Sequence, residues 1–397
     1  MAHLALFTIP AYGHVFPTLE AAAELIRRGH RVTVAATEQF APLVERTGAR
    51  VLRYESNLTP KPRTEDPPAD FAAWLPLVLV MESAATLPHF ERSFGDDVPD
   101  LIVYDRTIYA TGRVLGAKWQ CPAVELFTSF AYNDQWSLAT FAGEAASGVD
   151  EHPARVAFRE KLAELTAAHG VAPIAPEDFI VARPEFSLVV LPREFQYAGD
   201  TFDERFAFVG PCLGGRSFQG TWQPPANGAP IVYISLGTAM NNHPEFFRTA
   251  IRAVTATGWH AVVSTGGVDL AQLGAIPPNV EVYASVPQWA VLEHAAVFVT
   301  HSGMGGTMEA LARDTPMVTI PQSVEQAAVA NRVAELGAGV NLAGTEVTVS
   351  SLRAAIDSVH HNSTYRSAAR DLGAIVRATG GAVAAADELE TYLKSAR

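Results

Sequence analysis

The chain has 397 residues, 48% of them hydrophobic and 18% charged, with a formal charge of −13. That length allows two domains with cores of their own, and the acidic balance excludes a nucleic-acid partner, whose phosphate backbone demands a basic face. Cys121 and Cys212, the two cysteines, have no metal-ligand spacing and build no disulfide framework, so a reducing, cytoplasmic setting is expected.

The opening MAHLALFTIP lacks the basic start and long apolar run of a signal peptide, and residues 4–8 read as a first strand. No apolar segment reaches the roughly 18–20 residues that span a bilayer, so no integral membrane association is expected. Pro10 to His14 reads as a loop. Phe16-Pro17 then opens a helix, with Leu19, Ala22, Ala23 and Ile26 on one face and Gly29 at its C-terminal cap. Residues 31–36 form the next strand, which completes a βαβ unit and implies a parallel sheet. Residues 57–68 are a Pro-rich polar loop, and 71–89 are apolar with helical period. Residues 101–104 are a buried strand ending at Asp105. Residues 129–150 are rich in Gly, Ala and aromatics without a clear period, as segments lining a ligand cleft often are.

Residues 210–230 are dense in Gly and Pro, so neither helix nor strand should persist there. Alternation resumes with a strand at 231–235, a helix at 245–257 ended by Gly258, and a strand at 261–264 running into Thr265-Gly266-Gly267. Residues 297–300 (VFVT) are a short buried strand. The reading is an α/β protein of two Rossmann-like domains, residues 1–212 and 230–380, with a linker at 213–229 and a terminal helix within 381–397.

The densest chemistry lies in residues 285–331. His301-Ser302-Gly303-Met304-Gly305-Gly306-Thr307 follows the VFVT strand and enters a helix. Small residues there let backbone N–H groups approach an anion, and the helix N-terminus favours negative charge. His301 adds a donor beside it. Ser235-Leu236-Gly237-Thr238 is a second strand-to-loop turn. His14 and Asp105 each follow a strand of the first domain, at the sheet edge where open α/β folds bind ligands. A His can take a proton from a hydroxyl, and an Asp on its other nitrogen would orient it. By residue type alone, a loop histidine and a turn aspartate remain open. So do a first-turn helix acid for Glu309 and a solvated helix start for Glu325 and Gln326.

Pro287-Gln288, Thr300-His301, Gly303, Glu309, Pro316-Met317, Pro321 and Glu325-Gln326 stand in the order and spacing of a known signature. The window resembles the nucleotide-sugar motif of family 1 glycosyltransferases, and most of all that of the actinomycete macrolide glycosyltransferases. The likeness extends to GHVFPTLEAAAELIRRGHRVT and DLIVYD near the N-terminus. It implies a GT-B fold, two Rossmann-like domains facing across a cleft, with the last helix returning to the first domain. It implies His14 as general base and Asp105 as its partner. On the donor side it implies Ser235, Gly237, Thr238, Val286, Gln288, His301, Gly303, Gly305, Gly306 and Thr307 around the nucleotide. Glu309 would hold ribose hydroxyls, and Glu325 with Gln326 the sugar.

The resemblance further implies an inverting transfer from a nucleoside-diphosphate sugar, UDP-glucose first, to a hydroxyl of a macrolide, polyketide or flavonoid. Phe71, Trp74, Leu75, Phe127, Phe130 and Trp136 are candidates to line the acceptor pocket, with core packing the alternative for each. No permanently bound cofactor is expected. The chain has no Asp-x-Asp and no His-Glu-x-x-His, so no metal is expected either. A homodimer is admissible.

Three positions depart from the family pattern. Ser285 stands where many relatives place a base-stacking Trp, Gly306 replaces a Ser, and Val329 replaces an Asn. Trp289 could substitute for the missing Trp or be a packed helix residue. These departures leave uracil against thymine, and glucose against another sugar, open. A dTDP-deoxysugar enzyme, a non-catalytic helper of the same fold and a nucleotide-sugar epimerase are the other readings. The presence of both His14 and Asp105 argues against the helper.

Overall fold

Runs such as HLALF and RVTVAA, apolar without alternation, suit strands covered on both faces, as in a parallel sheet. In the computed structural model they are β1 (His3–Phe7) and β2 (Arg31–Ala36), both buried almost throughout. The structure describes residues 1–58, 70–143, 152–179, 184–214, 219–239 and 241–396, without the side chains of Phe71 and Ala72. The described residues divide into two compact units, one from within Met1–Pro60, Asp66–Gly214 and Thr379–Arg397, the other from within Gly215–Ala378.

The first unit continues with β3 (Arg50–Arg53), β4 (Leu101–Asp105), β5 (Ala123–Phe127), β6 (Ser187–Val189) and β7 (Phe206–Phe208). All are parallel, in the order β3-β2-β1-β4-β5-β6-β7. Its helices are α1 (Tyr12–Arg27), α2 (Ala41–Glu45), α3 (Phe71–Phe94), α4 (Tyr109–Trp119), α5 (Leu138–Phe141) and α6 (Pro153–His169). One face of α1 buries Leu19, Ala22 and Leu25 beneath the sheet.

The start of α1 differs from the sequence reading. The N–H groups of His14 and Val15 both reach the Ala11 carbonyl, at 3.0 and 2.9 Å, so the helix begins at Tyr12. Proline favours a first turn, but Pro17 lies within the helix, in its second turn, where its missing N–H costs one intrahelical bond. His14 therefore sits on a helical turn, not a loop.

The second unit holds β8 (Ile231–Ser235), α7 (Pro244–Val254), β9 (His260–Ser264), β10 (Val280–Tyr283), α8 (Gln288–Leu292), β11 (Ala295–Thr300) and α9 (Met304–Ala312). It continues with β12 (Met317–Thr319), α10 (Val324–Glu335), β13 (Gly339–Asn341), α11 (Val349–His361) and α12 (Ser363–Ala378). The sheet is again wholly parallel, in the order β10-β9-β8-β11-β12-β13. Helix α7 stops before the expected Gly258. Thr255 turns extended at ψ 136°, and the hydroxyls of Thr255 and Thr257 take the Ile251 and Val254 carbonyls at 2.7 Å each.

The last helix, α13 (Gly381–Ser395), belongs to the first unit, where Ala385, Ala386, Leu389 and Leu393 share a core with Leu19, Ala22 and Leu25. Arg28 Nη1 donates to Asp387 Oδ1 at 2.6 Å, and His30 Nε2 lies 2.9 Å from Glu390 Oε1. No helix among the described residues is long and apolar enough to cross a membrane.

Both sheets change direction of winding at their centre, between β1 and β4 and between β8 and β11. At such a switch point the flanking loops diverge and leave a crevice at the carboxyl ends of the strands. His14 and Asp105 follow or end the strands at the first of these places, and Ser235 and His301 those at the second.

Candidate active site

In the first unit, β4 ends at Asp105 and β1 leads through Pro10 to the first turn of α1. This brings His14 Nδ1 to 2.6 Å from Asp105 Oδ2. Asp105 is 1% exposed and His14 26%, so the carboxylate is enclosed while the imidazole reaches the surface. A carboxylate only accepts, so Nδ1 carries the proton and the lone pair of the neutral ring lies on Nε2.

Burial pushes the Asp105 carboxyl up, but the charge and hydrogen bond of His14 and two bonds from Thr107 outweigh it and hold it below its usual value. The Thr107 N–H and hydroxyl both donate to Asp105 Oδ1, at 2.8 and 2.6 Å. That occupies one oxygen and leaves the other for His14. Thr128, just past β5, places its hydroxyl 3.1 Å from His14 Nδ1. The sequence reading missed both threonines. Asp105-Arg106-Thr107 carries a legible signal, since Asp side chains bond backbone N–H groups two residues on. Thr128 has none, because only the β4–β5 pairing brings it there.

In the second unit, Ser235 ends β8 and Thr300, its register partner, ends β11. His301 follows, with its ring between two glycines. A Cβ on Gly237 would lie 2.5 Å from His301 Cε1, and one on Gly303 would lie 2.5 Å from Nε2. Gly237 also has φ +78°, a region side chains resist. Though part of its surface meets solvent, the ring is packed on both flanks, and burial pushes its pKa from 6.5 down to about 4. His301 is thus a neutral imidazole near pH 7. Its Nδ1, just before α9, and the Thr307 hydroxyl, in the first turn of α9, have no hydrogen-bond partner among the described residues. Gly303 is the N-cap of α9. Gly305 faces open space, and a Cβ on Gly306 would make only ordinary contact, 3.6 Å from Gln288 Nε2.

Ser302, at φ +60°, donates its hydroxyl to the Gln326 carbonyl at 3.0 Å, tying this turn to the start of α10. Gln326 is buried and its Oε1 accepts the Gln322 N–H at 2.8 Å, so its amide already shapes the turn before α10. Glu325 lies half-buried in the first turn of α10. Glu309 is not a first-turn acid. It lies in the second turn of α9, 4% exposed, and accepts from Gln288 Nε2 at 2.7 Å. Ser235 Oγ accepts the Gly237 N–H at 3.2 Å, and Thr238 is exposed. Asn241, absent from the sequence reading, donates Nδ2 to the Gly237 carbonyl at 2.8 Å. Val286 is half-buried just before α8, and the Trp289 ring carries the Arg313 guanidinium at 4.1 Å, which gives it a packing partner.

The acceptor candidates separate by burial. Phe127 and Phe130 are each 2% exposed and Trp136 is half-buried. Phe130 stacks on Phe195 and meets Trp136 edge-on, and Trp136 stacks on Tyr197 at 5.2 Å. Trp74 and Leu75 are exposed on α3, with Trp74 Nε1 donating to Asp70 Oδ2 at 2.9 Å. The Phe71 side chain lies outside the described residues. No group of His, Cys, Asp and Glu suited to a metal ion occurs among the described residues.

Comparison with known proteins adds to this geometry. Residues 251–385 match the family described as erythromycin biosynthesis protein CIII-like, C-terminal domain. The chain is 39% identical to the NDP-glycosyltransferase YjiC of Bacillus subtilis, over 99% of this chain and 97% of that protein. It is 38% identical to the demethyllactenocin mycarosyltransferase of Streptomyces fradiae, over 100% of this chain and 87% of that protein. Among solved structures, the calicheamicin glycosyltransferase CalG4 superposes with a TM-score of 0.86 at 39% identity, covering 100% of this chain and 99% of that one.

Proposed function

The chain belongs to the antibiotic and natural-product glycosyltransferases of the GT-B fold, which use a nucleoside-diphosphate sugar, and on that footing we propose that it moves glucose from UDP-glucose to a hydroxyl of a hydrophobic natural product by a single, inverting displacement. The observation that carries this reading is the His14–Asp105 pair, a surface-reaching imidazole whose proton-bearing nitrogen is fixed by a buried carboxylate.

His14 Nε2 takes the proton of the acceptor hydroxyl as its oxygen attacks the anomeric carbon. Asp105 stabilises the imidazolium that forms, and Thr107 keeps Asp105 aimed. The nucleoside diphosphate departs with added negative charge. The start of α9, the neutral donor His301 and the Thr307 hydroxyl are placed to receive that charge without reorganising. Leaving a buried donor unpaired costs about 1–3 kcal/mol, so a bound diphosphate would satisfy the Thr307 hydroxyl. Glu309 holds ribose hydroxyls and Glu325 with Gln326 the sugar. The acceptor meets the side chains around Trp74, Leu75 and Trp136. No metal takes part, and the setting is the cytoplasm.

A dTDP-deoxysugar donor is the second reading, left open by Ser285, Gly306 and Val329, which depart from the family pattern. The test crosses UDP-glucose and dTDP-glucose with macrolides and flavonoids, EDTA present, and reads products by mass. A hexose added from UDP-glucose supports the first reading. A hexose added only from dTDP-glucose supports the second. Isomerisation of the donor without transfer would replace both with an epimerase.

A further inference from the structure

Glu309 is reached by a chain of two hydrogen bonds that begins outside the phosphate-side loops. Gln288 Nε2 donates to Glu309 Oε2 at 2.7 Å, and the Tyr233 hydroxyl donates to Gln288 Oε1 at 3.1 Å. The direction is forced. A carboxylate only accepts, so the Gln288 NH2 must face Glu309; its carbonyl then faces Tyr233, and the phenol is the donor.

Tyr233 cannot swing away from this duty. It is 2% exposed on β8 and stacks on Phe298 of β11 with ring centres 4.8 Å apart and planes 9° apart. The two residues are register partners on adjacent strands. Burial raises the phenol well above its usual pKa, so it keeps its proton. The first turn of α9 closes the other side of the amide, since a Cβ on Gly306 would stand 3.6 Å from Gln288 Nε2.

We propose that Tyr233 is a positioning residue which, by fixing the Gln288 amide, aims the Glu309 carboxylate at the ribose diol and thereby sets a preference for ribonucleotide over 2′-deoxyribonucleotide donors. The proposal rests on the reading of Glu309 as the ribose ligand. A carboxylate has about four lone-pair sites, so the bond from Gln288 orients the group without using it up. Without the phenol, Gln288 Oε1 loses its donor, the amide reorients to find another, and Glu309 loses its aim. UDP and thymidine diphosphate differ at the 2′-hydroxyl as well as at the base, so this relay bears directly on which donor is taken.

Calorimetry on the full chain with UDP and 2′-deoxy-UDP tests it, using the wild type, Tyr233→Phe and Glu309→Gln. The wild type should favour UDP by roughly tenfold or more, the worth of a hydrogen bond to a charged group. Glu309→Gln should lose that preference. Tyr233→Phe should lose most of it while binding 2′-deoxy-UDP within about twofold of the wild type, an effect smaller than one typical hydrogen bond. A Tyr233→Phe protein that weakens for both ligands alike has a packing defect, which overturns the proposal. So does one that keeps the wild-type ratio while Glu309→Gln loses it, although the ribose reading then stands. A wild type without preference, or Glu309→Gln with the wild-type ratio, removes the ribose reading and the relay together.

Discussion

His301 has room for its ring because residues 237 and 303 have no side chains. Alanine at either place drives a methyl into the imidazole, and at 237 it also strains a positive φ. Overpacking costs about 1–3 kcal/mol, so Gly237→Ala and Gly303→Ala should raise the donor KM about tenfold or more. Gly305→Ala and Gly306→Ala, with space around them, should leave it nearly unchanged. Equal effects at all four positions would show that the glycines serve backbone approach to phosphate and not the His301 ring. The same packing makes His301 a pH-sensitive residue. Its folded pKa of about 4 lies below the free value of 6.5, so the unfolded chain takes up the proton more readily. Its neutral packing is fully tolerated above about 6.5 and stability is lost as pH falls toward 4. The melting temperature of the wild type should therefore fall more steeply across that window than that of His301→Asn. Parallel curves would contradict the assignment.

At the scale of elements, the turn after β4 is held by more than Thr107. Arg106, 7% exposed, donates Nη1 to Glu125 Oε1 of β5 at 2.9 Å and Nη2 to the Phe179 carbonyl at 2.8 Å. Glu125 is fully buried. Removing one partner of such a pair strands the other charge and costs about 3–5 kcal/mol. Glu125→Ala should lower the urea midpoint accordingly, and Arg106→Met with Glu125→Leu should recover most of the loss. A Glu125→Ala protein of wild-type stability would mean that Arg106 reaches water. Element boundaries also show what the sequence carries and what it hides. The strands were legible because short, largely apolar and β-branched runs bounded by turn residues suit buried strands, and β2 and β8 fall where expected. The start of α1 was not, because Pro17 is a strong local signal that tertiary packing overrides. Nor was the end of α7, where Thr255 and Thr257 do by side-chain bonds what Gly258 was expected to do by conformation. At the candidate site, motif spacing led to His14, Asp105, His301 and Glu309. It could not show that Gln288 bonds Glu309 across 21 positions, or that Thr128 comes beside His14 across 114. Those meetings depend on strand order.

The whole molecule applies one topology twice. Each unit winds a parallel sheet outward from its centre, with His14 and Asp105 at one central switch and Ser235 and His301 at the other. The register of two strand pairs, β1 with β4 and β8 with β11, thus sets where His14, Asp105, Ser235 and His301 emerge from the sheets. The first unit is completed from the far end of the chain by α13, whose Leu389 is 1% exposed in the core it shares with α1. Burying such a side chain stabilises by about 1.5–3 kcal/mol, and Leu389→Ala should cost about 2–5 kcal/mol with its cavity. Since α1 also carries His14, that variant should lose transfer activity on warming before the wild type does. Simultaneous loss in both would separate α13 from the upkeep of the His14 turn.

In the proposed reaction His14 deprotonates the acceptor while a separate set of residues holds the donor. Its most direct test compares His14→Ala with the wild type in two quantities, the turnover for sugar transfer and the affinity for the nucleoside diphosphate. Turnover should fall about 10²–10⁴-fold, the usual worth of a general base, with nucleotide affinity unchanged. Transfer at the wild-type rate from His14→Ala would contradict it.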